Sequence, residues 1–327
     1  MNSKAQDIVA VDIGGTHARF AIATIEAGKV LALSAPVTLL TSDYASLTTS
    51  WEAFGQRLGR PMPRAASIAV ACPVVGDVLK LTNNPWVIRP ASLQQELNLD
   101  ALMLLNDFAA MGHAVPHMST ADLQHVTGPD VPLPETGVIT IIGPGTGFGV
   151  AHVLRQGPTS HVIACEGGHV DFAPLDSLED AILVHLRKRY RRVSVERLVS
   201  GPGLANIYES LAAIEGKPVQ TGDDKSLWQR AIAGMDHLAR AALDRFCLSL
   251  GAVAGDLALV HGAVAVVITG GIAPRIADLL PHSGFADRFI AKGRFERMMA
   301  DIPVKLITHP QPGLLGVAAA FAAAHHA

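Results

Sequence analysis

The stretch IVAVDIGGT, residues 8–16, decides the fold of this chain. Its first six residues have the apolar character of a buried strand, and two glycines end that strand. The segment ARFAIATI, residues 18–25, then resumes strand character. The same order returns in residues 138–154, where VITIIG leads into PGTGFG and then VAHVL. The sequence therefore predicts two related halves, each containing a hairpin with a Gly-Thr tip.

Strands and helices alternate in the rest of the chain, which predicts an α/β architecture. Residues 66–75 and 101–107 have strand character, and residues 108–115 follow as a short helix. Helical periodicity dominates after the second hairpin, in residues 178–190, 203–214 and 227–260. A strand at 264–270 and a C-terminal helix complete the pattern.

The length of the chain predicts two domains, because 327 residues exceed what one hydrophobic core usually serves. Pro116 and the polar stretch up to Pro134 are the only loop signals that mark a boundary between the two halves. We expect a small α/β domain made of residues 1–117 plus the C-terminal helix 311–327. The remaining residues, 118–310, are expected to form a larger, helix-rich α/β domain.

Composition excludes several classes of protein. Hydrophobic residues make up 49% and charged residues 17%, a globular composition that excludes a disordered chain. A formal net charge of −3 gives no general attraction to nucleic acid or anionic lipid, so neither is an expected partner. The basic run 187–192 is compatible with an anion or nucleic-acid site and with a solvated helix end, and no helix-turn-helix pattern accompanies it.

Cysteine usage and apolar tracts predict a cytoplasmic protein. Cys72, Cys165 and Cys247 are too widely spaced for a disulfide framework or a zinc cluster. The apolar tract 246–271 contains Asp256, His261 and several glycines, and the C-terminal tract is shorter than the ~20 residues that a bilayer requires. The N-terminus also lacks the pattern of an export signal. We therefore expect no membrane association.

Three glycine motifs follow strands and together predict a nucleotide site. Tip residues 14–16 and 145–147 let backbone N–H groups approach phosphate oxygens, and Asp12 can hold Mg²⁺ through water. The third motif, residues 268–274, leaves room for a base or ribose. Each motif alone is also compatible with an ordinary turn. A Walker loop is disfavoured because no Gly-Lys-Ser/Thr follows, and a Rossmann turn because a strand follows the glycines.

The three motifs together resemble the phosphate-1, phosphate-2 and adenosine motifs of the superfamily of actin, heat-shock ATPases and sugar kinases. This resemblance implies two ribonuclease-H-like domains flanking a central cleft that holds ATP and Mg²⁺. The nucleotide residues it implies are Asp12, Ile13, Gly14, Gly15, Thr16, Gly145, Thr146, Gly147, Gly270 and Gly271, with Asp12 reaching Mg²⁺ through water. Superfamily membership alone leaves the function open.

Polar residues in four further segments are candidates for a sugar site. Asn106 and Asp107 stand where a buried strand ends and a helix begins, so Asp107 is either a catalytic base or a helix cap. Glu166, His169 and Glu196 can accept hydrogen bonds from adjacent sugar hydroxyls. Each of them alone is also compatible with a surface acid or a hydrogen-bonded histidine, which is the commoner role. Neighbouring asparagines, Asn83 and Asn84, are possible additions.

The complete motif set resembles the glucokinase family of bacteria from end to end. In order, it consists of DIGGTHARFA, ACPVVGD, TNNPW, LLNDFAA, GPGTGFG, EGGH and SVERLVSGPGL. The resemblance implies ATP-dependent phosphorylation of the 6-hydroxyl of glucose, with Asp107 as the base. The hexose ligands that it implies are Asn83, Asn106, Asp107, Glu166, His169 and Glu196. It also implies a homodimer.

Two alternatives to glucose phosphorylation stay open at this stage. One is a kinase for another hexose, such as mannose or an N-acetylated amino sugar, and the other is a sugar-binding regulator without catalysis. The related family that unites sugar kinases with repressors usually has a Cys-x-Cys-Gly-x-x-Gly-Cys zinc cluster after the EGGH-type motif. This chain has no cysteine between Cys165 and Cys247, so we expect no zinc and no repressor function.

Overall fold

Two sheets carry the two glycine hairpins, each in its own compact unit. The computed structural model describes residues 5–81, 84–219 and 222–325. The first unit comprises Met1–Met118 with His309–Ala327, and the second unit comprises Ser119–Thr308. The second unit is thus inserted into the chain of the first.

The strands and helices are numbered in chain order. Up to residue 114 they are β1 (Gln6–Ile13), β2 (His17–Glu26), β3 (Lys29–Leu33), β4 (Val37–Leu40), α1 (Leu47–Leu58), β5 (Ala65–Val70), β6 (Leu79–Lys80), β7 (Val87–Ile88), α2 (Pro90–Glu96), β8 (Ala101–Asn106) and α3 (Asp107–Ala114). The second unit contains β9 (Leu123–Thr127), β10 (Thr136–Pro144), β11 (Phe148–Gln156), β12 (Thr159–Cys165), α4 (Ser177–Arg187), α5 (Gly201–Glu215), α6 (Asp224–Ala233), α7 (His237–His261), β13 (Ala263–Ile268), α8 (Ala273–Ile276), α9 (Phe285–Ile290), α10 (Glu296–Ala300) and β14 (Val304–Ile307). Helix α11 (Pro312–Ala324) returns to the first unit.

The first sheet has the order β3-β2-β1-β5-β8, and β4 pairs with β2. Strands β1, β5 and β8 are parallel, so Ile13, Val70 and Asn106 lie at one edge of the sheet, where their strands end. The alanine-rich helix α11 covers one face of this sheet and packs against α3. Gly316 makes that packing possible, because a Cβ there would overlap the carbonyl oxygen of Ala110.

The second sheet has the order β12-β11-β10-β13-β14-β9. Strands β10 and β11 form the antiparallel hairpin, while β13 runs parallel to β10. The 25-residue helix α7 packs against α5, α6, α9 and β13 in the larger hydrophobic core. None of the helices in the described residues combines the length and the apolar character of a membrane span.

The α/β fold predicted from the sequence is confirmed. Both predicted hairpins are present, and the periodic stretch 227–260 folds as two helices, α6 and α7. The third glycine motif is followed by the four-residue helix α8. Several short strands at the sheet edges, such as β3, β4 and β9, were not predicted, because their sequences lack a long apolar run.

Candidate active site

The first glycine hairpin joins β1 to β2 through residues 14–16. The N–H of Gly14 donates to the carbonyl of His17 at 2.9 Å, which closes the turn. Thr41 donates from its hydroxyl and its N–H to two tip carbonyls, those of residues 15 and 16, each at 3.0 Å. The side-chain amide of Asn84 donates to the carbonyl of residue 14 at 3.2 Å. These contacts fix the tip through its carbonyl groups.

Asp12 precedes this tip in an environment that suits a cation. Its side chain is 20% exposed, and its Oδ2 lies 3.5 Å from Nη1 of Arg19, its cross-strand partner. Burial raises the pKa of Asp12, and the Arg19 guanidinium only partly opposes that shift. A cation favours the ionised carboxylate, so this oxygen donor fits Mg²⁺. Gly313 leaves space for the Asp12 carboxyl group, because a Cβ at position 313 would lie 2.8 Å from the Asp12 Cγ.

Asn106, and not Asp107, is the N-cap of α3. The Asn106 Oδ1 accepts from the N–H groups of Phe108 at 2.9 Å and Ala109 at 3.3 Å, and its Nδ2 donates to the Cys72 carbonyl at 3.3 Å. Asp107 is the first helical residue, and its Oδ1 also accepts from Phe108, at 2.9 Å. Asn106 therefore fills the capping role that was the alternative to catalysis for Asp107.

The end of β8 places Asn106 and Asp107 at the sheet edge where β1 enters the first hairpin. Ile13 and Asn106 both pair with Val70, which lies on the strand between them. Cys72 lies just after this strand, β5. Burial raises the pKa of its thiol, and the nearby Asp107 carboxylate raises that pKa further. The first unit thus brings together the predicted base and the first phosphate motif. Asn83 lies outside the described residues.

The second glycine hairpin joins β10 to β11 through residues 145–147. The N–H of Gly145 donates to the carbonyl of Gly147 at 2.8 Å, and the Gly145 carbonyl accepts from the N–H of Gly201 at 2.7 Å. Gly201 is the first residue of α5, whose N-cap is Ser200. Thr146 lies at the tip of the turn. The hairpin is therefore anchored to the start of a long helix.

The third glycine motif lies against this hairpin. Gly270 has a positive φ of 90°, and a Cβ there would lie 2.5 Å from the carbonyl oxygen of Pro144. The N–H of Ile272 donates to the same carbonyl at 3.1 Å. A Cβ at Gly271 would meet nothing within 4 Å, and one at Gly145 only the Gly271 nitrogen at 3.8 Å. The exposed backbone of the hairpin tip fits a polyphosphate, which needs close approach to N–H groups, and the open space at Gly271 fits a base or ribose.

Glu166 and His169 project from a short 3₁₀ turn, Gly167–His169, that packs on β11. A Cβ at Gly168 would overlap the Phe148 carbonyl oxygen, so the turn approaches the strand closely. The carboxylate of Glu166 and the Nε2 of His169 are 3.9 Å apart and 65% and 54% exposed, respectively. Two glycines thus present a carboxylate and an imidazole side by side to solvent.

Glu196 also contacts the backbone of Phe148. Its Oε2 accepts from the Phe148 N–H at 2.9 Å, at the first residue of β11. The second unit therefore brings Glu166, His169 and Glu196 together around the strand that forms the second glycine hairpin. Sequence reasoning assigned these three residues to one ligand but did not foresee the contact with the hairpin.

Arg192 is a residue of this site that sequence reasoning missed. Its Nη1 donates to the His169 carbonyl at 2.5 Å and to Oδ1 of Asp171 at 2.8 Å. Arg189, in the same basic run, contacts Glu209 at 3.3 Å. These two arginines therefore make contacts within the chain, which no local pattern indicates. Ser200 was also missed, although Ser-Gly-Pro at the start of a helical stretch is an N-cap signal.

Cys165, next to Glu166, is held as a neutral thiol. Its Sγ lies 3.6 Å from Nε2 of His152, whose Nδ1 lies 3.2 Å from the Thr140 hydroxyl. Burial raises the pKa of Cys165, and burial together with the stacked His261 lowers the pKa of His152 to about 4. A thiolate–imidazolium pair is therefore disfavoured at neutral pH, which agrees with a packing role for this cysteine.

Comparison with known proteins shows what the chain is related to. The model of the family described as "Glucokinase" matches residues 9–324. A glucokinase of Zymomonas mobilis is 64% identical over 316 residues, which cover 97% of this chain and 98% of that protein. A glucokinase of Yersinia pestis is 39% identical over 312 residues, 94% of each chain.

A solved structure agrees with these sequence relatives. The crystal structure of a glucokinase from an Antarctic psychrotroph superposes with a TM-score of 0.84 at 34% identity, covering 96% of this chain and 98% of that one. The resemblance drawn from the motifs is thereby confirmed over almost the whole length. The chain belongs to the glucokinase family.

Proposed function

We propose that this chain transfers the terminal phosphoryl group of ATP to the 6-hydroxyl of glucose, giving glucose 6-phosphate and ADP. The observation that carries the proposal is the arrangement around Phe148. There, Glu166, His169 and Glu196 present hydrogen-bonding groups next to the glycine turn 145–147. Hydroxyl-binding residues beside a phosphate-binding turn are what a sugar kinase requires. Family membership supports the same reaction.

Asp107 is the proposed catalytic base of this reaction. Its carboxylate would accept the proton of the attacking 6-hydroxyl and orient that oxygen. The position suits this role, because Asp107 opens α3 at the carboxyl edge of the parallel strands, where ligands of α/β sheets usually bind. Asn106 holds the start of this helix in place, and Asn83, Asn106, Glu166, His169 and Glu196 are the proposed hexose ligands.

Residues of the two hairpins and the third motif are the proposed contacts of ATP. They comprise Ile13, Gly14, Gly15, Thr16, Gly145, Thr146, Gly147, Gly270 and Gly271. Asp12 would hold Mg²⁺ through water, and Mg²⁺ supplies neutralisation of charge on the phosphates when bound. The residues themselves orient the donor through fixed amides, which need no reorganisation during transfer.

Family membership supports the cellular setting that we propose. We place the protein in the cytoplasm, as a homodimer that acts at the opening step of glycolysis. The domain boundaries 1–117 with 311–327, and 118–310, remain predictions, as do the absence of zinc and of nucleic-acid or membrane partners.

A panel of sugars and donors tests the proposed reaction. The purified protein is given glucose, mannose or N-acetylglucosamine with ATP, ADP or polyphosphate, and ADP release and sugar phosphate are both measured. We expect glucose with ATP to give the highest kcat/KM and a product phosphorylated at position 6. If another hexose has a higher kcat/KM than glucose, that hexose is the substrate. A protein that binds sugar but forms no sugar phosphate would be a regulator and not an enzyme.

Gly168→Ala tests the proposed hexose site. The added Cβ meets the Phe148 carbonyl, so the turn carrying Glu166 and His169 must move, and we expect KM for glucose to rise at least about tenfold, the effect of ~1.4 kcal/mol. Gly251→Ala is the matched control, since its Cβ meets the Phe285 carbonyl between α7 and α9. Both variants should lose thermal stability, and only the first should raise KM. An unchanged KM in Gly168→Ala would argue against this turn as a sugar ligand.

A further inference from the structure

Glu196 contacts the hairpin that is proposed to bind the other substrate, ATP. It is a proposed hexose ligand, yet its Oε2 accepts from the N–H of Phe148 in the second glycine hairpin at 2.9 Å. A Cβ at Gly147 would overlap this same oxygen and would lie 3.2 Å from the Glu196 Cδ. The carboxylate therefore lies directly against the turn that is proposed to hold phosphate.

A closed ring of hydrogen bonds fixes Glu196 to the hairpin. Its backbone carbonyl accepts from the Ser200 hydroxyl at 2.7 Å, and the next residue, Gly201, donates to the Gly145 carbonyl at 2.7 Å. Gly145 in turn donates to the Gly147 carbonyl at 2.8 Å, and Phe148 returns to the Glu196 side chain. Because the ring is closed, a displacement of the Glu196 carboxylate acts directly on the hairpin backbone.

The same segment is tied to the turn that carries the other hexose ligands. The N–H of Val195 donates to the Val170 carbonyl at 2.9 Å, and Ser194 forms a β-bridge with Asp171. Arg192 adds its bond to the His169 carbonyl. Glu196 thus lies between the hexose turn and the phosphate hairpin and is hydrogen-bonded, directly or through its neighbours, to both.

The charge of Glu196 gives this position an energetic consequence. A carboxylate on a backbone N–H occupies a donor that suits a phosphate oxygen, and it places negative charge where a nucleotide would bring more. Sugar hydroxyls that donate to the carboxylate spread its charge and draw it towards the sugar. The repulsion at the hairpin should therefore be strongest when no hexose is bound.

The geometry points to Glu196 as an electrostatic coupler of the two substrates, which disfavours the nucleotide until a hexose hydroxyl engages the carboxylate. The inference rests on the proposed function, because it takes glucose and ATP as the ligands. Coupling of this kind would disfavour ATP binding, and hence its wasteful hydrolysis, when sugar is scarce. By linkage, bound nucleotide should tighten glucose binding by the same factor.

Calorimetric titration of AMPPNP, a non-hydrolysable ATP analogue, with Mg²⁺ tests the coupling without turnover. In the wild type, saturating glucose should tighten AMPPNP binding at least about fivefold, the lower end of usual couplings. Glu196→Gln keeps an acceptor oxygen for Phe148 but removes the charge. It should bind AMPPNP at least about threefold more tightly than the wild type without glucose, and the effect of glucose should fall below about twofold. Glu196→Asp, one methylene shorter, should shift the glucose-free affinity in the same direction.

Glu166→Gln is the matched control, because it removes a carboxylate that faces His169 at 3.9 Å rather than the hairpin. It should weaken glucose binding while keeping the glucose-free AMPPNP affinity of the wild type. If the wild type phosphorylates glucose but Glu196→Gln retains the wild-type AMPPNP affinity and glucose effect, the coupling role is wrong and the proposed function stands. A wild type that does not phosphorylate glucose overturns both.

Discussion

Asp107→Asn should lower kcat for glucose at least ~100-fold, the lower end of what a general base contributes. The amide cannot accept the hydroxyl proton during transfer. It retains an oxygen that can accept from the Phe108 N–H, now 2.9 Å from the Asp107 carboxylate, so the start of α3 should stay intact. Glucose affinity, measured by calorimetry, should change little. Steady-state kinetics with coupled ADP detection gives kcat.

Asp224→Asn provides a control for this substitution. Asp224 is likewise the first residue of a helix, α6, so its change removes the same charge from the same helical position. Its kcat should stay within about twofold of the wild type, because a first-turn carboxylate alone contributes only ~0.3–1 kcal/mol through the helix dipole. Near-normal turnover in Asp107→Asn would refute its role as the base.

Glu179→Ala should lower the free energy of unfolding by about 3 kcal/mol, the lower end of the cost of breaking a buried ion pair. The change leaves Arg245 and Arg288 with only Asp176, which is 41% exposed, as a carboxylate partner. Glu179 is 0% exposed, and both its oxygens accept from Arg288, at 2.7 and 2.8 Å. Arg245 contributes a third contact at 3.1 Å, and the N–H of Leu175 a fourth at 2.7 Å. The carboxylate thereby joins α4, α7 and α9. Urea unfolding followed by circular dichroism measures the loss.

An exposed ion pair on the same helix α7 is the matched control. Arg240 and Asp244 are 3.0 Å apart but 44% and 52% exposed, so Asp244→Ala should cost no more than about 1 kcal/mol. Equal losses in Glu179→Ala and Asp244→Ala would show that the Glu179 cluster is not the main connection between these helices.

The parts of the site that the sequence predicted are those with a local physical cause. A glycine turn between two apolar strands is encoded by neighbouring residues, and both hairpins are present as predicted. The position of Asn106 and Asp107 at a strand end was likewise local. The sequence analysis gave capping as the alternative role of Asp107, whereas Asn106 is the cap of α3, because both residue types can cap a helix and only the backbone geometry decides between them.

The parts that sequence reasoning missed depend on contacts between distant segments. Thr41 and Asn84 hold the first hairpin from 26 and 70 residues away, respectively, and Glu196 reaches Phe148 across 48 residues. Arg192 was interpreted only as part of a basic run, since nothing near it in the chain indicates the carbonyl of His169 as its partner. Such pairings follow from the fold and have no periodicity of their own.

The return of α11 to the first unit has a consequence for the order of folding during synthesis. One face of β1 is buried by Leu314, Val317 and Phe321, which are synthesised after the whole inserted second unit. The inserted second unit is continuous in the chain and can fold while the nascent first sheet still exposes Ile8 and Ala10. The strand that leads into the first phosphate turn is therefore covered only after the inserted unit has been synthesised, and a nascent chain truncated before residue 312 would leave that apolar face open to chaperones.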